Sequence, residues 1–306
     1  MDRDHTLEGA PPGLHGLRDE PWTPVGPAGL SGWSLSLSEP PPLGVPFDTS
    51  IPHPARVYDY WLGGKDNYEA DRRAAESVIH ERPEVVAGAR ANRAFLARVV
   101  RYLTAARGIR QFLDIGTGLP SADNTHQVAQ RVAPQTRVVY VDNDLLVLLH
   151  ARVLLTSTPQ GACDYIKADL RDPATILTQA EAALDFTQPI AVLLLAVLHF
   201  IPDTGNPTGI VATLAAALPP GSCLAISHLT ADLAPQQVTA AAEAYNAATS
   251  VPVTARTHAQ VTGLFGGLPL VAPGVVPVSE WRPDAGTVPG PCDLYGGAAI
   301  IPRGHR

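Results

Sequence analysis

Between residues 111 and 228 short apolar runs alternate with longer amphipathic ones. Strands are predicted at 111–115, 137–141, 164–167, 190–198 and 223–228, and helices at 122–132, 144–155, 173–184 and 208–218. Strand and helix in steady alternation require a parallel sheet with helices on both faces. The unbroken apolar run 190–198 suits a central strand buried on both sides. The expected fold class is therefore α/β, a doubly wound sheet.

The flanks depart from this rhythm. Ahead of it, helices are predicted at 67–81 and 84–106, parted by Pro83; in the second, Val85, Ala89, Asn92, Leu96, Val99 and Leu103 recur at three- and four-residue steps before Gly108. Behind it, helices at 235–249 and 257–265 lead to two β-rich pieces, 268–281 and 297–302, expected to pair antiparallel and close the sheet edge. The first 46 residues hold nine prolines and seven glycines without sustained apolar periodicity. Such a segment cannot offset its ordering entropy by burial, so 1–46 is expected to be a disordered extension, with a partner-binding arm as the alternative. Residues 47–306 then form one domain, 47–108 as a helical cap and 109–306 as the sheet core.

Composition narrows the partners. With 22 Lys+Arg against 29 Asp+Glu, a net charge of −7 and no basic run, a nucleic-acid partner is not expected. The longest apolar run is far short of the roughly 20 residues that a membrane helix needs, and the acidic N-terminus does not resemble a signal peptide. Cys163, Cys223 and Cys292 are widely spaced and suggest neither a disulfide framework nor a metal site. A cytoplasmic protein acting on small molecules is expected, without a membrane partner.

The sharpest local feature is FLDIGTGLPS at 112–121. A strand that runs into Gly116, Thr117 and Gly118 and then a helix lets backbone N–H groups approach a ligand without Cβ obstruction. The third glycine of a dinucleotide fingerprint is replaced by Ser121. The second strand ends at Asp142, 24 positions after Gly118, where a carboxylate can accept from ribose hydroxyls. Asp142 can equally cap the next helix, a task open to Asn143 or Asp144. The third strand delivers Asp169, which can accept from an adenine amine while Leu170 packs on the ring; capping is again the alternative, with Asp172 better placed for it. The fourth strand opens through Ala196 to His199. A lone histidine in such a place is usually structural.

Together these residues resemble class I S-adenosylmethionine-dependent methyltransferases, and in particular a bacterial family long known only as a domain of unknown function. The resemblance rests on HPARVYDYWLGGKDNYEADR at 53–72, ANRAFLARVVRYL at 91–103, GIRQFLDIGTGLPS at 108–121, VVYVDND at 138–144, AISHLTAD at 225–232 and PGVVPVSEWRPD at 273–284. It implies a Rossmann-like seven-stranded sheet with a reversed C-terminal β-hairpin, S-adenosyl-L-methionine as cofactor, and a donor site along Gly116, Thr117, Gly118, Asp142 and Asp169. Asn143, Leu170 and Ala196 border the same crevice and join the candidate cofactor contacts. The family's usual N-D-P reads Asn143-Asp144-Leu145 here, a change that leaves the donor site intact because proline at a helix start mainly presets φ.

Three tyrosines and a tryptophan crowd residues 55–68, beside a Gly-Gly turn, in a chain only 6% aromatic. Such a segment can fold over the crevice as an N-terminal helical lid. Arg56 is then expected to meet the methionyl carboxylate, and Tyr58 to favour the sulfonium through its ring face. The alternative is that these aromatics pack the cap onto the sheet. Methyl transfer from a sulfonium needs chiefly positioning and exclusion of water. A hydroxyl acceptor adds a role for a general base, for which His199 and His228 are the candidates; a carbon or amine acceptor need not. No covalent nucleophile and no metal signature stand out. The competing readings are an NAD(P)-dependent oxidoreductase, disfavoured by the missing third glycine and the terminal hairpin, and a donor-binding protein that transfers nothing.

Overall fold

A computed structural model describes residues 48–154 and 156–302, with the backbone alone at 145 and 152–154. The expected disordered extension at 1–46 lies outside the described residues. Strands β1 (Gln111–Ile115), β2 (Arg137–Asp142), β3 (Ala162–Lys167), β4 (Ala191–Leu195) and β5 (Cys223–Leu229) run parallel, and β6 (Val276–Pro277) and β7 (Leu294–Ile300) complete a seven-stranded sheet ordered β3-β2-β1-β4-β5-β7-β6. The chain thus reverses direction on either side of β1, and a crevice opens at the carboxyl ends of β1 and β4 where ligands bind in doubly wound sheets.

Strand residues alternate between two apolar layers. Leu113, Val139, Val192 and Leu224 enter one core, and Phe112, Val138, Ala191 and Cys223 enter the other. Burial on both faces explains why these strands read as continuous apolar runs rather than alternating ones. Helices α6 (Pro173–Ala180), α7 (Pro207–Ala217) and α9 (His258–Gly263) contribute to the first layer; α3 (Val85–Ala106) and α4 (Thr125–Val132) contribute to the second. Helix α5 (Leu145–Leu154) links β2 to β3, and α8 (Pro235–Ala248) follows β5. Among the described residues no helix is long and apolar enough to cross a membrane.

Two elements differ from the sequence reading. The β-rich piece expected at 268–281 forms only β6 and an isolated bridge, Leu270 to Ala299, because Pro269, Pro273 and Pro277 lack the N–H that a ladder needs. β7 pairs antiparallel with β5 over seven positions, from Cys223–Ile300 to Leu229–Leu294, so the terminal hairpin is reversed as expected. The strand expected at 190–198 stops at Leu195: Ala196 takes φ +53°, and a 3₁₀ turn at Leu198–Phe200 follows.

The segment ahead of the sheet adds α1 (Pro54–Leu62), not expected as a helix, and α2 (Glu69–Glu81). Pro54 presets the first turn of α1, and His53 Nδ1 accepts from the Ala55 N–H at 3.3 Å. The Gly63-Gly64 turn wraps around the Asp59 carboxylate, which accepts from Asp66 N–H at 3.0 Å and Asn67 Nδ2 at 2.8 Å. α1, α2 and α8 share an apolar cluster built on Val57, Ala75, Val78 and Tyr245.

Candidate functional site

At the carboxyl ends of β1, β2 and β4 lies a cleft of about 450 Å³, roofed by α1 and the start of α3. Gly116 and Gly118 form its floor, with φ of +74° and +67°. A Cβ on Gly116 would stand 2.4 Å from Val197 Cγ2, so glycine is required for the tips of β1 and β4 to approach. A Cβ on Gly118 would meet no atom within 4 Å. Its outer side is open to a ligand.

The acid at the second strand tip locks this turn. Asp142 Oδ2 accepts from Gly118 N–H at 2.9 Å, and Oδ1 accepts from Asp144 N–H at 2.9 Å. A carboxylate has about four lone-pair positions, so two remain. Burial raises the Asp142 pKa despite those two bonds. The capping task falls to Asp144, whose Oδ1 accepts from Leu146 N–H at 2.9 Å.

Asn143, Asp169 and Leu170 also line the cleft. Arg171 grips Asp169 through Nε at 2.9 Å and Nη2 at 2.6 Å, and this pairing holds the Asp169 carboxyl below its ordinary pKa. Asp172 caps α6 by accepting from Thr175 N–H at 3.1 Å.

Tyr58, Thr117 and Ala196 belong to the lining as well. Beneath the cleft a buried relay connects the roof to the sheet. Tyr58 Oη donates to Ala89 O at 3.0 Å and accepts from Asn92 Nδ2 at 3.1 Å. Asn92 Oδ1 accepts from Ser227 Oγ at 2.6 Å, and that oxygen accepts from Ala196 N–H at 2.9 Å. The left-handed bend at Ala196 is therefore held by a side chain from the neighbouring strand.

Two candidate roles require correction. Arg56 does not line the cleft; it is buried, and its guanidinium donates to Asp71 Oδ1 at 3.1 Å and Ile51 O at 2.6 Å, joining α1 to α2. The charge expected at a methionyl carboxylate is spent inside the cap. His228 is fully buried outside the cleft lining, with Nδ1 on Leu229 O and Nε2 on Arg256 Nη1, both at 2.7 Å. Burial drives its pKa down to about 4. With both nitrogens engaged it cannot collect a substrate proton.

His199 differs on each point. It lines the cleft, neither ring nitrogen has a hydrogen-bond partner, and Nδ1 is sealed from water. Burial first, then repulsion from a protonated His228 and from Arg256, holds its pKa well below the ordinary histidine value, so the ring is neutral at neutral pH.

Two lining residues escaped the sequence reading. Asp114, the acid of the D-I-G-T-G run, is buried, accepts from Thr125 Oγ1 at 2.6 Å, and has its pKa raised to about 6 by burial. Arg93, from α3, donates through Nη2 to Ala122 O and Asp123 O at 3.1 Å, while its Nε is buried without a partner. The aspartate was visible as the first letter of the glycine-turn motif; the arginine sits on a helix face with no pattern to mark it.

An open glycine turn, a buried acid at the next strand tip and a cation beside a second acid fit a ligand that carries ribose and amino-acid ends. Such a site on a doubly wound sheet with a reversed terminal strand defines a class I methyltransferase. The family model described as S-adenosyl methyltransferase matches residues 43–302, and the chain belongs to that family. A DUF574 family protein from Streptomyces avermitilis is 46% identical, with 83% of this chain and 99% of the other covered and a TM-score of 0.80. A candidate methyltransferase from Thermobifida fusca is 39% identical, with 83% and 97% covered and a TM-score of 0.77. Among curated proteins no match is found. The protein is an S-adenosylmethionine-dependent methyltransferase, and the nicotinamide reading falls.

Proposed function

We propose that this enzyme methylates a small-molecule acceptor inside the cleft described above. The observation that carries the reading is the bond from Gly118 N–H to Asp142, which closes the donor turn against a cleft of about 450 Å³. That volume lies within the roughly 300–1,000 Å³ of small-ligand sites. Bound there, S-adenosylmethionine supplies an electrophilic methyl group on a sulfonium.

In this reading the chain's residues divide the work. The free lone pairs of Asp142 accept from the ribose, with Asn143 and the backbone of Gly116, Thr117 and Gly118 alongside. Leu170 and Asp169 border the base, and Ala196 forms part of the opposite wall. Arg93, rather than Arg56, answers the carboxylate end, and Asp114 the ammonium end. Tyr58, its hydroxyl committed to Ala89 and Asn92, offers only its ring. Residues 47–108 act as the lid that excludes water. For a hydroxyl acceptor, His199 is the proton acceptor.

Titration calorimetry with S-adenosylhomocysteine tests the donor assignment. Asp142→Ala is expected to weaken binding by about 1–3 kcal/mol, the scale of a lost charged hydrogen bond. Unchanged affinity in a folded variant removes Asp142 from the ribose.

A further inference from the structure

The donor residues account for one half of the cleft. The other half lies between α2, α8 and the loop after α8, walled by Trp61, Val78, Phe200, Ala241, Tyr245 and Val253. All six also belong to the apolar cluster that joins α1, α2 and α8 or pack against it, so this wall is held firmly as well as being apolar. Two ionised groups reach the wall, and both are already paired: Arg82 donates to both carboxylate oxygens of Asp293, at 2.9 and 3.1 Å, and also meets Glu84 at 3.1 Å. A charged ligand entering here would leave water without a counter-charge to meet it.

His199 stands between the halves in sequence and in place, after the donor-side Ala196 and Val197 and before Phe200 of the apolar wall. Its ring packs against Phe200 with centroids 4.4 Å apart. A neutral imidazole holds one donor and one acceptor nitrogen, and no protein group uses either. Buried polar atoms are seldom left so. With Nδ1 sealed from water, Nε2 is the ring nitrogen within reach of a ligand hydroxyl.

We infer that the apolar half takes an uncharged aromatic alcohol, its ring against Trp61, Phe200 and Tyr245 and its hydroxyl on His199. The inference rests on the donor reading above and makes the reaction an O-methylation. The hydroxyl oxygen takes the methyl carbon, the electron pair of the broken carbon–sulfur bond stays on sulfur, and the hydroxyl proton passes to His199.

Binding can be read without turnover, by quenching of tryptophan fluorescence with S-adenosylhomocysteine present and absent, using 1-naphthol and 1-naphthoate as probes. The alcohol is expected to bind at least about tenfold more tightly than the carboxylate, because the carboxylate must be desolvated against an apolar wall. Ala241→Glu is expected to abolish naphthol binding and leave S-adenosylhomocysteine affinity within about twofold. Equal affinity for the two probes, or binding of neither, overturns the inference, and this comparison needs no variant. Failure of S-adenosylhomocysteine to bind while naphthol still outcompetes naphthoate overturns the donor reading, and the O-methylation with it, and leaves the apolar half as a site for an aromatic alcohol.

Discussion

The guanidinium of Arg256 reaches backbone on both sides of His199 from a buried position, donating to Leu198 O at 3.2 Å and Ile201 O at 2.8 Å, and to Asp203 Oδ1 at 2.6 Å. Thr254 N–H adds a bond to His199 O at 2.8 Å. Arg256 is thus a positioning residue for a histidine it does not support through the ring. Arg256→Met strips donors from several buried acceptors and should cost about 3 kcal/mol in urea unfolding. S-adenosylhomocysteine affinity should stay nearly constant; a loss as large as that of Asp142→Ala would place Arg256 in the donor site instead. His228 gives a pH signature. Its native pKa is about 4 against 6.5 unfolded, so between those values the unfolded chain binds more protons and stability falls as pH falls. At about 1.4 kcal/mol per pKa unit, the loss from above pH 6.5 to pH 4 is on the order of 3 kcal/mol. His228→Gln should flatten the wild-type slope by that amount, although Asp114, with its raised pKa, works in the opposite direction from about pH 6 downward in both proteins. Parallel slopes for the two proteins would show that His228 does not carry this term.

At the scale of elements, the tips of β1 and β4 separate two kinds of glycine. Gly116→Ala drives a Cβ into Val197 at 2.4 Å from a left-handed backbone, and should destabilise the fold by about 2–5 kcal/mol. Gly118→Ala carries only the backbone strain, about 1–2 kcal/mol, but stands its methyl in open cleft space and should weaken donor binding more than it weakens the fold. Thermal melts and calorimetry on the pair distinguish the cases, and identical behaviour would contradict this division. Gly116, Asp142 and His199 were legible in sequence because a glycine or a polar residue follows a largely apolar run at each, whereas Asp169 was placed by the alternation of strand and helix, since β3 itself is mixed. The cap was not legible. α1 has nine residues, two of them charged and three aromatic, and only Pro54 at its start and Gly63 at its end signal a helix. Arg56 looked available for the same reason: its partner Asp71 lies on the next helix, and no spacing reveals a buried pair between helices. Arg93 and Asn92 meet the cleft, and Asn92 meets Ser227, only because α3 crosses the sheet.

On the scale of the whole molecule, donor binding and folding are linked. S-adenosylhomocysteine at about 100 times its Kd should stabilise the native state by roughly 2.7 kcal/mol. For a domain of this size that is a rise of about 5–10 °C in Tm. NAD at the same concentration should give none, and a melt that responds to NAD instead would contradict the cofactor. The alternation of strand and helix was enough to read the five parallel strands, since burial on both faces leaves a long apolar signature. The terminal edge was harder, because β6 pairs through two residues amid prolines. The cleft's two halves also come from separate lengths of chain. Residues 85–229 bring the glycine turn, the acids, Arg93 and His199, whereas the apolar wall is drawn mostly from 54–82 and 238–253. Crossovers near Pro83 and Ala234 would therefore exchange one wall and spare the other. Recombination among relatives at these two points would pass on the glycine turn, the strand-tip acids, Arg93 and His199 together, while replacing most of the apolar wall along with Tyr58, α1 and α2.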